Sequence, residues 1–188
     1  MLPHREVLLR LVKANVCFLL YGHKASGKTT LIRNILHENE SAYIYINCTL
    51  ANKRANFLKL FNVELNNYLC VKSEEFKKRD RKLDHPPNLD SWIFDLKKLL
   101  DESPDYVRYL DNLFIFMDNI EEMILSEGFL SSFYYACQKE FPFRFNFIFC
   151  GINFLKKEYT LEQPFRTMIA FAMPKPMEDI EKEMMKSA

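Results

Sequence analysis

Residues 21–30 read YGHKASGKTT. Gly22 and Gly27 bracket four residues, and Lys28 and Thr29 follow at once. Ahead lies VCFLL at 16–20, a short continuous apolar run of the kind that a strand buried on both faces shows. Behind, Leu31, Ile32, Ile35 and Leu36 fall at helical spacing. Strand, glycine-bearing loop and helix in that order form a phosphate cradle. Gly22 and Gly27 let the backbone amides turn inward, and Lys28 supplies a point charge for the outer phosphates. The Thr29 hydroxyl is placed to ligate magnesium, and the helix beginning there adds its dipole and free amides. His23, Lys24, Ala25 and Ser26 complete the loop, so Gly22 through Thr30 are the residues expected to surround the bound phosphates.

A second element answers the first. LFIFMD at 113–118 is a buried strand ending in Asp118, the residue type that holds magnesium opposite such a loop. Asp118 can also serve as an ordinary helix cap, since Asn119 and Ile120 lead into EEM; the loop at Gly22 favours the magnesium role. Thr29 and Asp118 are therefore the expected metal residues. Small-molecule kinases of this fold carry several arginines in a mobile lid. Beyond Asp118 this chain has Arg144 and Arg166 and no arginine-rich segment, which weighs against a phosphotransferase.

Outward from these segments, the pattern alternates. A helix is expected over 6–13, a strand over 42–46, a helix over 52–69 and a helix over 90–100. Further expectations are a helix over 129–140, strands over 145–150 and 168–173, and a last polar helix from 176 to 186. Residues 72–88 are charged and end in Pro86-Pro87, the signature of a surface excursion. Strands alternating with helices predict a three-layer αβα domain around a five-stranded parallel sheet. The expected domain spans residues 1–175, with 176–188 opening a lid helix.

Composition narrows the class. The chain has 188 residues, 48% of them apolar, with 17 Phe and 9 Tyr, enough for one domain with a sizeable core. The net charge of +1 argues against a surface that is basic throughout. Five scattered cysteines without a Cys-x-x-Cys read as buried free thiols of a reducing compartment. The four histidines have no metal spacing. No apolar run reaches the ~20 residues that cross a membrane, and the N-terminus lacks a signal-peptide core. A soluble intracellular protein with no membrane partner is expected. The basic run KKRDRK at 77–82 can touch DNA phosphate, but Asp80 interrupts it and Glu74 and Glu75 precede it, so a solvated loop is the better reading.

The loop YGHKASGKT, the strands YIYINC at 43–48 and FIFMDNIEEM at 114–123, and FIFCGINFLKKEY at 147–159 occur in order. Together they resemble the ATPase domain of the origin recognition complex subunit 5 family, within the AAA+ class. His23 and the Ala25-Ser26 pair are the most specific part of the likeness. REVLLRLV at 5–12 is similar to the family's opening helix, and MIAFAMPKPMEDIEKEM at 168–184 to its last core strand and first lid helix. The resemblance implies that Asn153 senses the gamma phosphate, although a plain loop asparagine is the alternative. It implies equally that Arg166 reaches a neighbouring subunit's ATP, although a solvated arginine fits the residue as well.

Two departures from the family's pattern bear on turnover. Active relatives follow the magnesium aspartate with an acid that activates water, and this chain has Asn119, which cannot accept a proton. Glu121 is a catalytic candidate, but a helical turn would direct it away from Asn119. The chain also ends at Ala188, shortly after Pro174, so the family's lid and winged-helix domain are expected to be absent, in a reduced form or a fragment. The implied function is ATP binding, with little hydrolysis, as one subunit of a nuclear origin recognition complex. Its partners would be the other subunits, and DNA through the complex. A competent AAA+ ATPase or loader, and a phosphotransferase on a small acceptor, are the alternatives.

Overall fold

The computed structural model describes residues 3–50, 54–79, 82–84, 86–121, 128–152 and 168–173. Five strands form one sheet in the order β2-β3-β4-β1-β5, all parallel. They are β1 (Phe18–Tyr21), β2 (Tyr43–Asn47), β3 (Phe114–Asp118), β4 (Asn146–Gly151) and β5 (Ile169–Ala172). The helices are α1 (Pro3–Lys13), α2 (Lys28–Glu38), α3 (Arg54–Lys72), α4 (Glu74–Lys77), α5 (Leu89–Glu102), α6 (Val107–Leu110) and α7 (Phe129–Lys139). The expected three-layer αβα fold with its five-stranded parallel sheet is the fold observed.

Alternation along each strand sorts the core into two layers. Leu19, Ile44, Ile46, Ile115, Met117, Phe147 and Phe149 meet α3, α5 and α7 on one face. Phe18, Leu20, Phe114, Phe116, Ile148 and Cys150 meet α1 and α2 on the other. The first face holds most of the buried aromatic side chains. Phe57, Phe61, Trp92 and Phe133 touch edge to face or tilted at 4.9–5.4 Å between centroids in their closest pairs. Each such contact adds about 0.5–1.5 kcal/mol beyond its buried area.

One expectation is corrected. Residues 72–88 do not run over the surface throughout. Ser73 caps α4 by accepting the Phe76 N–H, and Phe76 is fully buried, edge to face with Tyr106 at 5.5 Å. Asn66 holds both backbone groups of Leu83, at 3.1 and 2.9 Å. Buried Asn62 accepts the Trp92 indole N–H at 2.9 Å and donates to the Asp84 carbonyl. Two asparagines one turn apart on α3 therefore moor the connection that composition alone marks as solvated. Lys77, Lys78 and Lys82 are exposed, as expected, while Arg79 pairs with Glu102. The expected helix over 176–186 and the boundary at 175 lie outside the described residues.

Candidate functional site

The site assembles at the carboxyl ends of the strands, where an open cleft of about 270 Å³ is lined by Lys24 to Thr30 with Asp118, Asn119 and Ile152. Sheet parity decides which face it takes. Asp118 follows Phe114 and Phe116 on the face toward α2, so its carboxylate meets the first turn of that helix. Thr29 Oγ1 donates to Asp118 Oδ2 at 2.6 Å. The two expected metal residues, far apart in the chain, are thus in direct contact.

The loop wraps the lysine. Lys28 is buried, and its Nζ donates to the Gly22 carbonyl at 3.1 Å, the His23 carbonyl at 2.7 Å and Ser26 Oγ at 3.3 Å. Burial lowers the Lys28 pKa, while Asp118 and Glu121 act the other way by attraction. Gly27, at φ 81°, opens α2 from the left-handed region, where glycine adds no steric cost. Ala25, at φ 61°, takes the same region without that freedom. Gly22 is required by proximity, since a Cβ there would stand 2.8 Å from Met173 Cβ.

Asp118 is held by more than Thr29. Tyr45, on the adjacent strand and the same face, donates its hydroxyl to Oδ2 at 3.1 Å. The Asn119 N–H donates to Oδ1 at 3.1 Å. Burial first and Asp118 second push the Tyr45 hydroxyl up to about 12, so it remains a donor at neutral pH. Cys150 lies on the same face, its thiol pushed well up by burial and then by Asp118.

Asn119 does not continue a helix. It sits at φ 56°, a region that asparagine tolerates better than most residues, and its Nδ2 donates to Asn47 Oδ1 at 3.0 Å. This turn corrects the expectation for Glu121. Its carboxylate accepts the Ile152 N–H at 3.1 Å, and Ile120 N–H bonds the Cys150 carbonyl at 3.1 Å. Glu121 therefore comes back to the end of β4, beside the cleft, and is engaged there as a backbone acceptor. Asn153 and Arg166 lie outside the described residues. Tyr45 and Asn47 were not singled out by the sequence; their one signal is a place near the end of the strand paired with β3.

The donors suit a hard cation. Among the described residues no three His, Cys, Asp or Glu side chains gather at one point. One carboxylate and one hydroxyl, beside the loop at Gly22, match the preferences of magnesium, which keeps several waters and takes few protein ligands.

Solved structures that share this fold include three from different organisms. The Orc1 protein of Aeropyrum pernix in complex with DNA aligns with a TM-score of 0.57 at 16% identity, over 100% of this chain and 50% of that one. Drosophila ORC bound to DNA aligns at 0.59 and 14%, over 99% and 47%. The Walker-type ATPase of Pyrococcus abyssi aligns at 0.53 and 20%, over 91% and 52%. The chain spans about half the length of each. No curated protein sequence matches it. The sequence pattern of the AAA domain matches residues 12–157, a stretch that runs from the end of α1 past the phosphate loop and Asp118 to beyond β4, and the chain belongs to that family.

Proposed function

We propose that the protein binds ATP with magnesium in the cleft above Gly22 and acts as a nucleotide-binding subunit of an origin-recognition type of assembly. The observation that carries this reading is the 2.6 Å contact between Thr29 and Asp118, beside a buried lysine wrapped by the loop. In this reading Lys28 exchanges its contacts with the loop carbonyls for the outer phosphates. Thr29 and Asp118 hold the metal, and the amides of the loop receive phosphate oxygens. Bound magnesium would carry part of the phosphate charge. The finer assignment to subunit 5 rests on the loop residues His23, Ala25 and Ser26. The folds of an Orc1 protein and of ORC, both in complexes with DNA, support a role in a multi-subunit assembly on DNA. A nuclear location is proposed on the sequence resemblance alone.

Turnover in this reading is slow. Asn119 follows Asp118 and cannot take a proton, and Glu121 is engaged by the Ile152 amide. Nucleotide then serves to stabilise subunit contacts. Isothermal titration with ATP, ADP and GTP in magnesium tests the binding. Lys28→Ala should weaken ATP by at least about tenfold, because a charge-assisted contact is lost. Equal affinity in the two proteins would overturn the nucleotide reading. Co-purification with the origin recognition subunits of the same source tests the assembly role; no recovery in the presence of ATP would overturn that role, and equal recovery with and without ATP would overturn the stabilising role of the nucleotide.

A further inference from the structure

We propose that Tyr45 is a positioning residue that keeps Asp118 oriented when Thr29 is drawn to the metal, and so sets the magnesium-dependent part of nucleotide affinity. The proposal rests on the nucleotide reading above.

Tyr45 pairs in register with Phe116, two positions before the Asn47–Asp118 pair, and the length of its side chain carries the hydroxyl forward along the sheet to the carboxylate. The ring is fixed independently of that bond. It packs edge to face on Phe116 at 5.2 Å, and the Arg33 guanidinium of α2 lies over it at 4.2 Å. Strand and helix thus clamp the hydroxyl in place. Asp118 Oδ2 receives two hydroxyl donors and Oδ1 receives one amide.

These donors are unequal when a metal binds. The Thr29 hydroxyl is the one expected at the metal, and on moving there it leaves Oδ2. Tyr45 has no metal to approach, because its hydroxyl is tied to the carboxylate and its ring is clamped. It therefore stays as the remaining side-chain donor to Oδ2. Without it, the carboxylate would be steered by a single amide on Oδ1, with rotation about its own axis weakly restrained. Outer partners of metal-holding groups commonly change metal affinity by about 10–100-fold when removed.

Tyr45→Phe tests this, since it removes one oxygen and keeps the ring between Phe116 and Arg33. ATP affinity is measured with magnesium and with chelator for wild type, Tyr45→Phe and Tyr43→Phe; Tyr43 lies two residues back on the same face. Tyr45→Phe should reduce the gain in affinity from magnesium about tenfold and leave the chelated affinity unchanged. Tyr43→Phe should change neither. A purely structural role would lower the melting temperature without moving the ratio of the two affinities. An unchanged ratio in Tyr45→Phe, with wild-type binding intact, overturns the role of Tyr45 alone. Equal ATP affinity in wild type and Lys28→Ala overturns the nucleotide reading and this proposal together.

Discussion

Glu121 and Ile152 are joined across the end of the sheet. The carboxylate that follows β3 accepts the backbone N–H that follows β4, at 3.1 Å. Together with the bond from Ile120 N–H to the Cys150 carbonyl, it fixes the turn after Asp118 onto the neighbouring strand. An acid that sequence position alone makes a candidate base is, in the fold, a strut beside the cleft.

Replacing that acid should therefore affect stability before chemistry. Glu121→Gln keeps an acceptor for the Ile152 N–H, whereas Glu121→Ala removes it. The alanine variant should lose about 1 kcal/mol in urea unfolding and the glutamine variant less than half of that. Equal losses would contradict the strut.

Turnover gives a separate check. Hydrolysis needs a water in line with the gamma phosphate and a group to orient or deprotonate it. General-base help is worth about 10²–10⁴-fold, and Asn119 offers none. Steady-state hydrolysis by the wild type should fall well below ~1 per second, and Glu121→Gln should leave it unchanged. A rate at or above ~1 per second that Glu121→Gln abolishes would identify Glu121 as the base.

Alkaline stability follows from two tyrosines. Tyr45 and Tyr134 are both pushed up to about 12, by burial first and then by Asp118 and Cys17 respectively. In the unfolded chain tyrosine ionises near ~10. Between those values the unfolded chain has released protons that the fold retains, so stability falls as pH rises through this window. The buried thiols of Cys137 and Cys150, pushed well up by burial, act in the same sense. Lys28, whose pKa is lowered, acts in the opposite sense. The urea midpoint should drop between pH 9.5 and pH 11.5, and Tyr45→Phe with Tyr134→Phe should flatten that drop. A double variant as pH-sensitive as wild type would contradict the assignment.

The segment after α3 separates anchor from surface. Phe76→Ala should cost about 3–5 kcal/mol, the loss for a fully buried phenylalanine. Lys77→Ala and Lys78→Ala, one and two residues on, should each stay within about 0.5 kcal/mol. Denaturant titration of the three variants makes the comparison. A Phe76→Ala cost below ~1 kcal/mol would return the segment to the surface.

These contrasts mark what could be read from the chain. FIFM and FIFC are apolar whichever way they face, so their burial in a parallel sheet is legible without knowing the register. Gly22, Gly27, Lys28 and Thr29 form a local pattern and need only the strand before and the helix after. Register is a different matter. Tyr43 and Tyr45 look alike in sequence, and only the pairing of β2 with β3 brings the second within reach of Asp118. Phe76 is hidden in a charged stretch because its partner, Tyr106, lies far along the chain. Asn62 and Asn66 resemble any polar helical residues until the connection they moor is folded back. The direction of Glu121 depended on Asn119 leaving the helical region, a choice that no periodicity records.

The contact between Gly22 and Met173 has a consequence in time. β1 lies between β4 and β5, and Met173 N–H bonds the Tyr21 carbonyl at 2.7 Å. The loop is thus made about 150 residues ahead of one of its walls, near residue 173. During synthesis at ~5–20 residues per second, the nascent loop waits on the order of ten seconds or more for that wall. Pairings so distant in sequence also close slowly. The cradle consequently matures only after that wall has been made, and a chain cut short before it is a poor trap for nucleotide.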